Sequence, residues 1–423
     1  MASSASLPVL PQAAWPTDQV DEHTCKAAGE FFATWMTSPE QIEAKTYRGP
    51  GLDATAQYLR VLYGLEDDKA FTDGQLVWWF ADTQAQAQMA GDQVYQEFLS
   101  TVIQPAVTFC GASVCKSLGW AGNGDLAGIG VFSSYYIEAI LATIYMVVLL
   151  GKSFHLWGGG GAPGRILGAF LGTLGDLIMG AFVFSLVVVI ASLHSIFQVR
   201  GDEDFSVTTY EIVTAMLVTV FSVCSATLLY CLAEHGKGPK VLLRAVLFAL
   251  WALMLAVVNI GRTTDPSAAA LQSGTIGHPF ELYCQVIGTG PLEAVRIFAV
   301  ASAGLGALWL VYLLSRKCRS KASETGRLWR AVVTILAWIV MWVFLGVFTA
   351  LRARSIEVAG ASDKSNEWSF GQIVAVAAWV PVLLNFIYIL IAGVDGAQNS
   401  KLPDGYEVTI STGNAGGDGD GKA

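Results

Sequence analysis

Three polar side chains interrupt long apolar segments, and their types could do chemistry inside a membrane. Glu138, Asp176 and Asn385 lie in segments that otherwise consist mainly of aliphatic, aromatic and small residues. A carboxyl in such a setting can hold an ion, respond to a ligand by exchanging a proton, or act as a catalytic acid. The alternative is plain interhelical hydrogen bonding, which contributes about 0.6 kcal/mol on average.

The depth of the three residues predicts that they share one polar layer. With a rise of about 1.5 Å per residue, Asp176, Asn385 and Glu138 lie roughly 15, 12 and 19 Å from the same end of the bundle. The first, second and last helices of a seven-helix ring are neighbours, so these side chains could meet. No Lys or Arg occurs at this depth. We therefore expect a protonated carboxyl, a bound ion or a bound water.

A row of small residues surrounds the central carboxyl. Gly168, Gly172, Asp176 and Gly180 are spaced four apart, and Gly175 stands beside them. At helical spacing all five fall on one stripe, and small residues on a stripe let two helices approach closely. The row therefore predicts a helix–helix contact that turns Asp176 toward the interior of the bundle.

The composition indicates the elements that must position these residues. The chain has 423 residues, of which 53% are hydrophobic and 14% charged, whereas soluble proteins have about 25% charged residues. This shortage of charge predicts an all-α, polytopic membrane protein whose main partner is the lipid bilayer. No basic cluster in the N-terminal region suggests nucleic acid as a partner.

Seven segments are long and apolar enough to cross a bilayer as helices, which takes about 20 residues. They are roughly 129–151, 166–194, 207–233, 241–260, 292–315, 329–351 and 369–393. In the seventh, Pro381 predicts a kink four residues before Asn385. The sequence thus predicts a seven-helix bundle over 129–395 and a disordered tail over 396–423.

Basic residues predict the orientation of the bundle. Alternate loops and the C-terminal tail hold 13 Lys and Arg residues, against 5 in the other loops. The positive-inside rule places the richer set in the cytosol, so the N-terminal region faces the outside or a lumen. The membrane is the plasma membrane or an endomembrane. The richest loop is 316–330, with Arg316, Lys317, Arg319, Lys321, Arg327 and Arg330 as a candidate surface for a cytosolic partner.

The region 1–128 is acidic and has the pattern of a small helical domain. It holds 6 Lys and Arg against 15 Asp and Glu, and it begins without the features of a cleavable signal peptide. The stretches AAGEFFATWM, LDATAQYLRVLYGL and GQLVWWFADTQAQAQMAGDQVYQEFLSTVI have near-helical apolar spacing. They predict three helices that cap the bundle. The alternative is helices lying on the membrane surface, which the acidic balance disfavours.

Four of the seven cysteines fall on the predicted outer side. Cys25, Cys110, Cys115 and Cys284 predict two disulfides, with three connectivities open. A link from Cys284 to the N-terminal region would fasten the cap to the bundle. The C-x4-C pair at 110–115 lacks a second pair and a nearby His, so no metal site is predicted. GIGV at 128–131 predicts a helix start or a close-packing site.

Two resemblances bear on function. Seven spans, an outer N-terminus, Asp176 and the NFIY stretch at 385–388 resemble the plan of G-protein-coupled receptors. The chain lacks their acidic-Arg-aromatic triplet after span three, and no span contains the Lys that an opsin needs. CGASVCKSLGWAGNGDLAGIGVFSSYYIEAILATIY and NEWSFGQIVAVAAWVPVLLN resemble a family of multi-pass membrane proteins of filamentous fungi. That resemblance implies a setting in secondary metabolism and no specific activity.

The sequence leaves four functions open and favours the first. A receptor-like sensor would bind a small or peptide ligand at the cap and recruit a partner at loop 316–330. A transporter or channel would use the intramembrane carboxyls, and an acid-catalysed membrane enzyme would use Glu138 or Asp176 as proton donor. The fourth is a structural membrane protein. DDxxD, HExxH, HxxxH and GxxxxGK[ST] patterns are absent, so we predict no catalytic residues and no cofactor.

Overall fold

The computed structural model describes residues 22–36, 51–66, 71–118, 123–153, 162–201, 208–233, 240–264, 284, 293–294, 296–301, 303–304, 306, 324–360 and 368–399. Within these ranges the chain is almost entirely α-helical and contains no strand. Four of the predicted basic-loop residues lie outside them: Arg316, Lys317, Arg319 and Lys321. The predicted tail beyond 399 and the predicted fifth span beyond 306 lie outside them too.

Among the described residues before 119, four helices form an N-terminal cluster around a small aromatic core. They are α1 (Glu22–Met36), α2 (Leu52–Leu62), α3 (Asp73–Met89) and α4 (Asp92–Leu118). Phe31 stacks on Tyr58 and meets Phe80 edge to face, so α1, α2 and α3 share one buried centre. Burial raises the pKa of the Tyr58 phenol, so this side chain stays neutral at any physiological pH.

The third predicted N-terminal helix is two helices in the structure. A capping box of Thr72 and Gln75 starts α3, and α3 ends at Met89. Gly91 then adopts a φ of 113°, a conformation that L side chains rarely take, and α4 begins at Asp92. The helical spacing of apolar residues continues through this turn, so the sequence pattern does not indicate that the helix ends there.

The remaining helices form a membrane bundle. They are α5 (Gly124–Ala127), α6 (Ile129–Ser153), α7 (Ala162–Gly201), α8 (Thr209–Ala233), α9 (Lys240–Thr263), α10 (Glu324–Ala359), α11 (Phe370–Ala377) and α12 (Val380–Asn399). Among the described residues, six segments are long and apolar enough to cross a membrane: Gly124–Lys152, Ile166–Phe197, Thr209–Leu232, Leu242–Thr263, Ala331–Ala359 and Phe370–Gly393. The chain is therefore a multi-pass integral membrane protein, and six of the predicted spans match these segments. The described part of the predicted fifth span, between 293 and 306, is helical.

Helix α8 is the centre of the bundle. Every residue from 210 to 229 is buried, because α6, α7, α9 and α10 all pack against this helix. Two of its threonine hydroxyls bond to the surrounding helices. Ser192 of α7 accepts a hydrogen bond from Thr219, and Thr227 accepts one from the Trp251 indole of α9. A helix that is apolar on all sides is expected to occupy such a position.

The last span lies at the edge of the bundle and is broken. It consists of α11, which packs against α6, and α12, which packs against α7. The break falls at Ala378 and Trp379, directly before Pro381, which has no N–H for the helical hydrogen bond. Most of the α12 residues between 380 and 393 are exposed, as expected for a helix that contacts lipid.

Candidate functional site

Asp176 and Asn385 are joined by a hydrogen bond. The Asn385 amide Nδ2 donates to Oδ2 of the Asp176 carboxyl. The bond links α7 to α12 within two membrane-spanning segments. The second span and the last span are therefore neighbours, and two of the three predicted polar residues meet.

The Asp176 carboxyl lies on the outer surface of the bundle. Gly172, Gly175, Asp176, Met179 and Val183 form one exposed stripe on α7. The opposite face belongs to the buried core of the bundle through a larger apolar set, Leu174, Leu177, Ile178 and Ala181. The glycine row predicts an inward carboxyl, but the aliphatic face occupies the interior because it buries more apolar surface. An ionised side chain facing lipid costs about 3 kcal/mol.

The glycine row does bring two helices close together. A Cβ atom on Gly172 would stand 3.1 Å from Cδ1 of Ile389, and one on Gly180 would stand 3.7 Å from the Trp379 ring. Gly168 lies next to Ala169, which packs against Ile389. In contrast, a Cβ on Gly175 would meet no atom within 4 Å. Helix α12 therefore packs against one side of the glycine row, and no described residue covers Gly175.

Glu138 lies in a different environment, in the interface between α6 and α8. Its side chain is fully buried, and neither carboxyl oxygen has a hydrogen-bond partner. Ser225 of α8 is the polar group that interacts with the carboxyl, but the contact lacks the geometry of a regular hydrogen bond, so the Ser225 hydroxyl is unsatisfied as well. Glu138 makes no hydrogen bond with Asp176 or Asn385. The structure therefore brings together two of the predicted three and leaves the third alone in the core.

A buried carboxyl without a partner has a limited range of chemistry. Burial without a cation favours the neutral acid, whose single proton can be exchanged or donated. Among the described residues, no group of three or more His, Cys, Asp or Glu side chains could hold a metal ion. The arrangement at Glu138 is thus suited to binding and releasing a proton.

Two polar side chains, Gln372 and Arg352, converge on the junction of α5 and α6. Gln372 of α11 accepts from Gly130 N at 3.1 Å and donates to Gly124 O at 3.3 Å. Arg352 of α10 donates from Nε to Ala127 O at 2.8 Å. A Cβ on Gly128 or Gly130 would stand within 2.5 Å of the Gln372 side chain. The close-packing site predicted from GIGV is therefore built around Gln372.

Sequence reasoning missed Gln372 and Arg352. Both lie near the ends of apolar segments, where polar residues are common. Their residue types therefore do not indicate that they form buried hydrogen bonds. The signal that was available is the pair of glycines in GIGV, which predicts a close approach without identifying the group that approaches.

Two disulfides connect the N-terminal cluster and the bundle through one helix. Cys25 of α1 pairs with Cys110 of α4, and Cys115 of α4 pairs with Cys284. This confirms two disulfides and selects one of the three connectivities. Both cysteines of the C-x4-C pair are thereby used, each in a different bond. The two remaining described cysteines, Cys224 and Cys231, are reduced and buried in α8.

The end of α4 also contacts the bundle directly. Gly360, at the end of α10, has a φ of 64°, and a Cβ there would stand 2.9 Å from Cγ of Lys116. Leu118 packs against both the N-terminal core and the bundle core. At the other end of α10, Arg327 and Arg330 belong to the helix Glu324–Ala359.

No family model, curated protein or solved structure matches the chain.

Proposed function

We propose that the protein is a receptor-like sensor of a small or peptide ligand. The proposal completes the bundle with a seventh span at 292–315 and places the N-terminal cluster outside the cytosol. There, the cluster caps the bundle and receives the ligand. The basic loop 316–330 and the C-terminus then face the cytosol, in agreement with the distribution of Lys and Arg.

The observation that supports the proposal most is the position of α4. This helix carries both disulfides, so it is covalently tied to α1 on one side and to Cys284 on the other. Cys284 lies eight residues before the predicted fifth span. A displacement of the N-terminal cluster would therefore pull on that span through the second disulfide.

The same helix reaches the sixth predicted span. The Lys116 side chain lies against Gly360, where α10 ends. Spans five and six are thus both held by α4 at one end, and the basic loop joins them at the other. A shift of α4 would change the separation of the two spans and with it the shape presented to a cytosolic partner.

Glu138 gives the bundle an element that could have two states. Its carboxyl has no partner at the α6–α8 interface, so a small rotation of α6 could give it one at little cost. Such a rotation would be coupled to α10, because Trp338 and Trp342 of α10 both donate to Thr143 of α6, at 2.9 and 3.0 Å. Ligand binding would bias this pair of arrangements.

The coupling can be tested with the native thiol of the basic loop, Cys318. In inside-out vesicles, a membrane-impermeant maleimide should label Cys318 from the cytosolic face. Removing the second disulfide with the double variant Cys115→Ser, Cys284→Ser should change the labelling rate several-fold. The matched control is Cys224→Ser, which removes a buried thiol in α8 and no disulfide. An unchanged rate in a correctly folded double variant would contradict the coupling.

Sensing itself is tested by recruitment. A proximity-labelling enzyme fused to the C-terminus should tag a cytosolic protein whose recovery changes when a peptide fraction or a small-molecule fraction of conditioned medium is applied. Serine at Arg316, Lys317, Arg319 and Lys321 should abolish the tagging. If the tagging still responds to the applied fraction without these charges, loop 316–330 is not the surface that recruits the partner.

A proton-coupled transporter is the second candidate, and the isolation of Glu138 favours it. Purified protein in liposomes that contain a pH-sensitive dye would then pass protons under a membrane potential. Glu138→Gln should abolish the flux, while Asp176→Asn should retain it. A flux that survives Glu138→Gln would eliminate this candidate.

A further inference from the structure

The Asp176–Asn385 pair has more hydrogen-bonding capacity than the chain uses. Asn385 donates one amide N–H to Asp176, so its second amide N–H and its carbonyl oxygen can still form hydrogen bonds. The other carboxyl oxygen of Asp176 can also still accept a hydrogen bond. No further bond to either side chain occurs among the described residues. Both residues lie within spanning segments, where no bulk water is available to supply the missing partners.

The surroundings of the pair place it against lipid or another protein. Asp176 belongs to the exposed stripe of α7, and Leu384, Ile387 and Tyr388 are exposed on α12 beside Asn385. Apolar side chains thus border the polar pair on both helices. Ionisable groups within spanning segments almost always face protein or a water-filled cavity and not lipid.

The chemistry of the pair favours a second copy of the chain as that partner. The carboxyl accepts hydrogen bonds, and the neighbouring amide donates them. A two-fold axis near the pair would bring the carboxyl of one protomer opposite the free amide of the other, so that the same contact forms twice. Any other protein would have to supply this alternation of donor and acceptor independently.

The backbone permits the required approach. Gly175 is exposed, with no atom within 4 Å of the place where its Cβ would stand. Gly172 on the same stripe is already approached by Ile389 of α12, so Gly175 is the position that a second helix can approach. Helices with small residues at their contact can approach until their backbones nearly touch, which brings short side chains such as Asp within bonding distance.

We propose that the seam between α7 and α12, centred on Asp176 and Asn385, is a two-fold homodimer interface. The occupant is a second copy that donates from its own Asn385 to Asp176 of the first. This inference is independent of the sensor proposal, because it concerns the opposite side of α7 from the α6–α8 interface.

Cysteine crosslinking in native membranes tests the interface. Gly175→Cys, Met179→Cys and Val183→Cys are each placed in a Cys318→Ser background and oxidised with copper phenanthroline. At least one of them should give a covalent dimer several-fold above the matched control, Phe248→Cys. Met179 and Phe248 are 53% and 55% exposed in the protomer, on α7 and α9 respectively, so the two positions differ in face and not in accessibility.

A second measurement separates assembly from folding. Single-molecule photobleaching of a fluorescent fusion in nanodiscs should show two-step events for the unmodified chain. The variant Asp176→Leu, Asn385→Leu should shift most events to one step while retaining a monodisperse chromatographic peak. The pair can be removed without unfolding the protomer, because it lies at the surface.

Three outcomes would overturn the proposal. The first is that no position on the α7 stripe crosslinks above the Phe248→Cys control. The second is labelling of Met179→Cys by a membrane-impermeant thiosulfonate, which would mean that the stripe faces an aqueous crevice. The third is a crosslink to a different protein in place of the dimer.

Discussion

The α6–α8 interface and the α7–α12 seam each contain one carboxyl within the membrane. The two carboxyls differ in burial and in hydrogen bonding. Glu138 is sealed in the core, and its oxygens have no partner. Asp176 is at the surface and is bonded to an amide. Burial and hydrogen-bond satisfaction usually rise together in proteins, but here they are reversed.

The reversal assigns different roles to the two carboxyls. A buried acid that lacks a partner weakens the fold, so its presence calls for a function within the protomer. An exposed acid that already has one partner weakens the protomer little, and its remaining capacity is directed outward. Glu138 is therefore the candidate for a switch or a proton site, and Asp176 for assembly.

Replacing each carboxyl by a lysine should give the largest difference in folding between the Glu138 and Asp176 environments. Glu138→Lys would bury an ammonium without a counterion, and an uncompensated buried charge costs about 3–5 kcal/mol. We expect little folded protein by fluorescence-detected size-exclusion chromatography.

Asp176→Lys is the matched variant. Its ammonium stands outside the protein core, where a charge that faces lipid costs about 3 kcal/mol, so more of the protomer should fold than with Glu138→Lys. If both lysine variants fold equally well, the contrast between a sealed and a lipid-facing carboxyl is wrong.

A buried polar group that is fully bonded provides the next comparison. Gln372 is 2% exposed and bonds two backbone groups of the α5–α6 junction. Gln372→Ala would leave Gly130 N–H and Gly124 C=O unpaired, at a cost of about 1–3 kcal/mol for each group. The melting temperature should fall clearly. Gln372→Glu retains one acceptor for Gly130 N–H and should lose less.

Replacing Glu138 by an apolar residue should have a smaller effect with an informative sign. Because the carboxyl makes no regular hydrogen bond, Glu138→Leu removes a desolvation cost and loses only the contact with Ser225. The melting temperature should stay unchanged or rise, while partner recruitment at loop 316–330 is lost. A pronounced drop in melting temperature would mean that Glu138 has a stabilising partner in the membrane.

The smallest effects should come from the glycines of the seam. Alanine is better than glycine in a helix interior by about 1 kcal/mol. At Gly175 there is open space, so Gly175→Ala should gain most of this amount in the protomer. At Gly172 the new methyl would press on Ile389, at 3.1 Å, so Gly172→Ala should gain less. Equal gains in thermal unfolding would show that α12 does not pack on this row.

The spans and the disulfides were accessible from the sequence because each depends on a strong local signal. Segments such as 166–194 are apolar over a length that only a membrane or a buried core can accept. Cysteines on one predicted side of the membrane must pair in an oxidising compartment. Their connectivity required three-dimensional information, since Cys110 and Cys115 are close in sequence but bond to partners 85 and 169 residues away.

The direction of Asp176 was not accessible, because small residues predict that a helix contact exists without saying on which side of the polar residue it lies. Gly172 and Gly180 do contact the last span, but Gly175 does not, so the carboxyl stands at the edge of the contact and not at its centre. The position of Glu138 opposite Ser225 depends on how α6 rotates against α8. Depth along a helix, which the sequence gives, says nothing about rotation.

The most direct test of the contrast between the two carboxyls is modification by a lipid-soluble carbodiimide, which reacts with protonated carboxyls that are reachable from hydrocarbon. Purified protein diluted to monomers in detergent is treated at mildly acidic pH, and the adducts are located by peptide mass spectrometry. We expect an adduct on Asp176 and none on Glu138 while the protein stays folded. Modification of Glu138 with Asp176 left intact would contradict the account.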